Sequence, residues 1–183
     1  MNNLLNNITM KKITRQHAIE MFRQLGVMAL GHLDETTLSA TLDNFEKCRK
    51  VQEDYQKLSE ELAKRLYESK DEEEKKAFFE IVAKFEKETD MDKKVEIEGM
   101  MKAHTEFYEL YKKQLKVLTQ LFFKEVEIDL TEVDKDAFIK GIVLGKKDVR
   151  VHEIVAFFAP MFKAEVAEAE KKDFSELDAM LAE

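Results

Sequence analysis

The sequence contains one proline, five glycines, one cysteine and no tryptophan in 183 residues. Average usage at this length would give roughly 13 glycines and 9 prolines. Turn formers are scarce, which disfavours sandwiches, barrels, propellers and long βαβ series, all of which need many tight turns. A single cysteine excludes an intrachain disulfide framework and a cysteine-rich zinc module. No apolar run approaches the ~18 residues needed to span a bilayer. The opening MNNLLNNIT lacks the charged n-region and long apolar stretch of a secretory signal. These absences lead to the expectation of a cytoplasmic protein with no membrane partner.

What is present points one way. Charged residues make up 37% of the chain, against about 25% on average. Glu, Lys, Leu, Ala and Met, all good helix formers, are abundant. A hydrophobic content of 44% is sufficient for a real core. The net charge of −8 repels nucleic acid unless a local basic stripe overcomes it. The expected fold class is all-α: a helical bundle built on two long antiparallel helices, with shorter helices and an irregular C-terminal arm.

Residues 1–9 read as a flexible tail, with four Asn in nine positions and Met10 as an alternative start. Thr14 is a good N-cap for a helix near 15–30, with Gly31 placed to end it. Asp34 caps a helix of about 32 residues reaching 67, with Cys48 on its apolar stripe. Ser69 with Glu72 reads as a capping box for a shorter third helix bearing Phe78, Ile81, Val82 and Phe85. The stripe from Ile97 through His104, Tyr108 and Leu115 to Phe122 predicts a second long helix of about 30 residues. Two such stripes cannot stay wet, so the long helices should pack against each other. Residues 125–133, EVEIDLTEV, alternate with period 2 but have no clear strand partner in the sequence. An extended segment lying against the bundle is the preferred reading. Asp134 or Asp136 caps a helix ended by Gly145, Asp148 caps another ended by Pro160, and Phe174, Leu177, Met180 and Leu181 give a weak amphipathic face at the C-terminus. The domain organisation expected is a tail over 1–9, a bundle over 10–123 and an arm over 124–183.

Patterns that carry chemistry are largely missing. No His has the acid three residues earlier that a di-iron bundle needs, and no HExxH occurs. The glycines form no phosphate-binding loop. Cys48 has Lys47, Arg49 and Lys50 beside it, but the middle of a helix offers no free amides for an oxyanion. The acidic cluster Asp129, Glu132, Asp134 and Asp136 lacks the spacing of a calcium loop. No catalytic, cofactor or metal residues are therefore assigned. Three basic groups, around Lys11 to Arg23, Lys47 to Lys50 and Lys146 to Arg150, are interleaved with acids. Phe122, Phe123, Phe157 and Phe158 are the candidates for a partner surface, because the C-terminal third looks incomplete on its own.

The KKITRQHAIE start, the charged helical middle, the EVEIDL segment and the short helix ending near APMF resemble a family of small phage and prophage proteins over about 10–66 and 100–162. The resemblance implies an accessory or assembly role encoded among tail genes, in a virion-associated setting, with no established functional residue. The stretch around 70–90 and the Ala/Glu-rich end depart from that pattern.

The expected function is that of a non-enzymatic interaction protein with a protein partner or a second copy, and no cofactor. Two alternatives stay open. One is a small-molecule or metal-dependent helical enzyme with His104 facing Glu53 or Glu60. The other is a nucleic-acid-binding regulator using the basic N-terminal helix.

Overall fold

The computed structural model describes residues 8–145 and 150–163. In chain order the elements are β1 (Ile8–Thr14), α1 (Arg15–Val27), a 3-10 turn at Leu30–His32, α2 (Glu35–Tyr67), α3 (Glu72–Lys87), α4 (Met91–Ala103), α5 (Thr105–Phe123), β2 (Glu125–Thr131), α6 (Lys135–Gly145), α7 (Val151–Phe158) and a second 3-10 turn at Ala159–Met161. The architecture is mostly all-α, with one small two-stranded sheet.

Helix starts follow local chemistry. The Thr14 hydroxyl accepts from the His17 amide at 3.1 Å, and Asp34 accepts from the Thr37 amide at 3.0 Å, each satisfying a donor that the first turn leaves open. The Thr37 amide and hydroxyl bonds hold the Asp34 carboxyl below its ordinary range. Asp134 caps α6 through the Ala137 amide at 2.9 Å, which selects it over Asp136. The cap of α3 is Asp71, two residues after the expected Ser69. Helix α1 stops at Val27, and Gly31 lies in the following 3-10 turn without a left-handed backbone.

The second long stripe is two helices. The backbone breaks at His104, whose φ and ψ of −89° and 63° are not helical, so α4 ends there and α5 begins at Thr105. Helix α5 runs antiparallel to α2. Tyr55 lies near its end, donating to the Leu118 carbonyl and packing on Phe122, whereas Tyr67 lies near its start against Phe107 and Gln114.

The largest departure from expectation is β1. Residues 8 and 9, assigned to the tail, and residues 10–14 pair antiparallel with β2, from Ile8↔Thr131 to Thr14↔Glu125. EVEIDLT is thus a true strand, and its partner is ITMKKIT. The Arg15 amide donates to the Lys124 carbonyl at 2.9 Å, one step beyond the last pair. Because bonding alternates along an antiparallel ladder, Glu125, Glu127, Asp129 and Thr131 turn their backbone groups away from β1. At Thr131 those groups meet Asn44 of α2. The Asn44 Oδ1 accepts from the Thr131 amide at 2.7 Å, and its Nδ2 donates to the Thr131 carbonyl at 2.8 Å. One fully buried side-chain amide therefore does at this edge what a third strand would do. Lys47 reinforces the junction, donating to the Thr131 hydroxyl at 2.9 Å and pairing with Asp43 at 2.6 Å. Burial works to raise the Asp43 carboxyl, but the hydrogen bonds from Lys47 and Thr131 outweigh it and hold it below its usual value.

The buried side chains gather in two clusters. One cluster joins Met21 and Leu25 of α1, Cys48 of α2, Leu130 of β2, Phe138 of α6 and Phe158 of α7. Residues after 123 are thus part of the same core as the first helix. A second cluster lies towards the far end of α2 and gathers Tyr67, Phe78, Val82, Met101 and Phe107. The amphipathic C-terminal stretch and the Asp148 cap lie outside the described residues.

Gly141 is where α6 meets the turn after α1. A Cβ there would overlap the Leu33 Cδ2 and stand 3.1 Å from the His32 carbonyl oxygen. Gly141→Val is expected to destabilise the fold by about 1–3 kcal/mol through overpacking, read as a lower urea midpoint with unchanged slope. Gly99→Val, at a position with open space, isolates the steric effect from the change in helix propensity.

Candidate interaction surface

Helices α6 and α7 form a hairpin whose inner side completes the first core. Phe138, Ile142 and Phe158 point inward and are buried, with the Phe138 ring 5.6 Å from those of Phe158 and Phe162. The chain is returned to the start of the hairpin after α7. The Lys163 amide donates to the Val133 carbonyl at 3.1 Å, and the Val133 amide donates to the Met161 carbonyl at 2.8 Å.

Because α6 is apolar on more than one face, the hairpin leaves hydrophobic side chains outside as well. Val143 is 45% exposed, Leu144 66% and Val151 38%. With Ile139 and Val155 they line a groove of about 510 Å³, rimmed by Lys135, Asp136 and Lys140. Scattered exposed aliphatics are ordinary; these are contiguous and share one concavity with a charged rim, which makes the groove a candidate surface. On the opposite side of α7 is a cleft of about 670 Å³ against the end of α1, walled by Val27, Met28, Ile142 and Phe157. Its polar margin includes Arg150 and Glu153, which bond to each other at 2.9 Å.

The four phenylalanines singled out from the sequence have different fates. Phe158 is 2% exposed and belongs to the core, so it is not a surface residue. Phe157 is half-buried, stacked on His17 with centroids 5.0 Å apart, and it lines the cleft. Its carbonyl accepts from the His17 Nε2 at 2.8 Å, which requires the proton on that nitrogen. Phe122 packs against Tyr55 of α2. Phe123, at 55%, is the exposed member of the set. The outer groove was not anticipated. Its signal was the run IVLG at 142–145, where three consecutive apolar residues on a short helix cannot all face one core.

The residues proposed for other chemistries do not converge. His104 faces Glu74 of α3 at 3.5 Å, while Glu53 pairs with Arg49 and Glu60 accepts from Gln56. Among the described residues no group of three or more His, Cys, Asp or Glu side chains is placed to hold a metal ion. Several of the basic residues are answered locally: Lys12 by Glu127, Arg23 by Glu20, and Arg49 by Glu46 and Glu53. Lys146 and Lys147 lie outside the described residues. Arg15 acts structurally, its guanidinium donating to the Leu121 carbonyl and lying over the Tyr55 ring.

Cys48 is fully buried, and burial pushes its thiol up to about 12, with Lys47 pulling weakly the other way. A thiol with so little thiolate is inert. The native protein is expected to leave Ellman's reagent uncoloured over hours and to react stoichiometrically in denaturant. Fast native reaction would contradict the burial.

Among the described residues, no helix is long and apolar enough to cross a membrane. No protein-family model, curated protein or solved structure matches the chain.

Proposed function

We propose that this chain is a non-enzymatic interaction protein that binds another protein through the outer α6–α7 groove. The observation that carries the reading is the side-by-side exposure of Val143, Leu144 and Val151 in a concavity with lysines at its rim. The occupant that fits is an amphipathic helix whose apolar face enters the groove and whose acidic flank meets Lys140. Phage or prophage tail assembly is the specific setting suggested by the family resemblance.

The test compares the tagged full chain with a Val143→Asp, Leu144→Asp variant, both produced in the native host. Both replaced side chains are exposed, so the fold should survive, as circular dichroism will report. A stoichiometric protein partner is expected to co-purify with the parent chain and to fall at least tenfold with the variant. Co-purification unaffected by either substitution would overturn the assignment of the groove.

A further inference from the structure

We propose that a second copy of this chain docks on the free edge of β1, joining two two-stranded sheets into one of four strands. The surface uses none of the α6–α7 groove residues, so it stands or falls independently of that groove.

Three observations lead to it. The first is an open edge. The pairs Thr9↔Leu130, Lys11↔Ile128 and Ile13↔Val126 exchange the ladder hydrogen bonds, as the Arg15 to Lys124 bond sets the alternation. The backbone groups of Ile8, Met10 and Lys12 therefore point away from β2, and among the described residues nothing bonds to them. Such a row of outward donors and acceptors is a template for another strand. The opposite edge is not equivalent. Asn44 occupies it at Thr131, and its other outward residues, Glu125, Glu127 and Asp129, are all acids that repel their own copies.

The second is self-complementarity. Antiparallel pairing centred on Met10 sets Met10 against Met10, and Lys12 of each copy against Ile8 of the other. Centring on Lys11 or Lys12 opposes like charges instead. The Met10 register provides about six hydrogen bonds between the copies. It ends before Arg15, where α1 begins. It also covers Met10, which is 61% exposed at the middle of the edge. A two-fold pairing of this kind closes on itself and stops at two copies.

The third is charge. Lys12 is answered within the chain by Glu127 at 3.4 Å, whereas Lys11 is half-buried and has no ion-pair partner among the described residues. Lys11 and Thr9 lie on the same face of β1. In the Met10 register, Lys11 stands opposite Thr9 of the second copy. The Thr9 hydroxyl donates to the Glu132 carboxylate at 2.8 Å and so fixes an acid beside that position. Lys11 of each copy thereby meets Glu132 of the other. Lysines on an edge strand ordinarily discourage pairing, but here each has an acid to meet.

Light scattering on the full chain, from micromolar to near-millimolar concentration, should show the mass rise from 21.4 kDa towards twice that value. Met10→Pro should abolish the rise. It removes an amide that makes no bond to β2, and proline is tolerated where a strand N–H faces outward, so circular dichroism should be unchanged. Lys11→Glu and Glu132→Lys should each stay monomeric alone, because like charges then meet twice across the two-fold. An equimolar mixture of these two variants should regain the dimer, since each copy supplies the charge the other needs. Rescue in trans is not produced by a role confined to one chain, and it decides the matter alone if Met10→Pro disturbs the fold. A parent chain that stays monomeric throughout, a dimer that persists in Met10→Pro with its fold intact, or a mixture that fails to associate overturns the inference. Growth beyond two copies would also overturn it, by showing head-to-tail pairing in place of the two-fold.

Discussion

Replacing Asn44 by leucine is expected to lower the free energy of unfolding by about 3 kcal/mol, although the two side chains are similar in size. Asn44 is fully buried and bonds to both backbone groups of Thr131, itself 1% exposed. Leucine removes both bonds at once and leaves a buried amide and a buried carbonyl without partners. Each orphaned group costs about 1–3 kcal/mol, which outweighs the hydrophobic gain of the new side chain. Asn44→Asp separates the contributions. It retains an acceptor for the Thr131 amide but removes the donor to the carbonyl and sets a second carboxylate near Asp43, so it should be at least as damaging. Urea unfolding measures both variants. A loss below about 1 kcal/mol for Asn44→Leu would mean that water takes over the edge of β2.

The second large effect is expected at the far end of the bundle. Phe78 is fully buried, and its ring centroid lies 5.5 Å from that of Phe79, 5.8 Å from Phe107 and 6.0 Å from Tyr111. Phe78→Ala should cost about 3–5 kcal/mol through lost transfer energy and the cavity it leaves. The consequence should be local. The cluster around Phe78 shares α2 and α5 with the rest of the protein but none of the buried residues of the first core. Amides in α3 and α4 are therefore expected to exchange much faster in the variant, while those of β1 and β2 keep their protection. Equal acceleration everywhere would show one cooperative unit instead of two.

The helical elements were largely legible because their signals are local. Thr14 and Asp34 cap the helices they were assigned to, and the apolar stripe over Leu38 to Leu66 runs the whole length of α2. Cys48 on that stripe is buried as a small hydrophobe. The break at His104 was not legible. The 3–4 rhythm of apolar residues continues through it, and the turn in the chain is fixed by Phe107 and Met101 entering one cluster from two helices.

The candidate surface was legible only in part. Phe122, Phe123, Phe157 and Phe158 look alike in sequence, and burial alone separates Phe158 in the core from Phe123 on the outside. The groove lined by Val143, Leu144 and Val151 depends on which face of α6 the inner core takes, and that choice is made by Gly141 fitting against Leu33.

The scarcity of glycine and proline, the capping residues and the helical periodicity determined that this chain would be a helical bundle. These features act within a few residues of each other, and a sequence displays them directly. Only the tertiary structure decided that ITMKKIT is a strand. Its β-branched Ile8, Thr9, Ile13 and Thr14 permit that conformation, but the pairing is made by EVEIDLT more than a hundred residues later. The same holds for Asn44, an unremarked polar residue on a helix until β2 arrives with an open edge. Hydrogen bonds between distant backbone groups leave little trace in local pattern, so the sheet, the division of the core and the exposed groove were settled by packing.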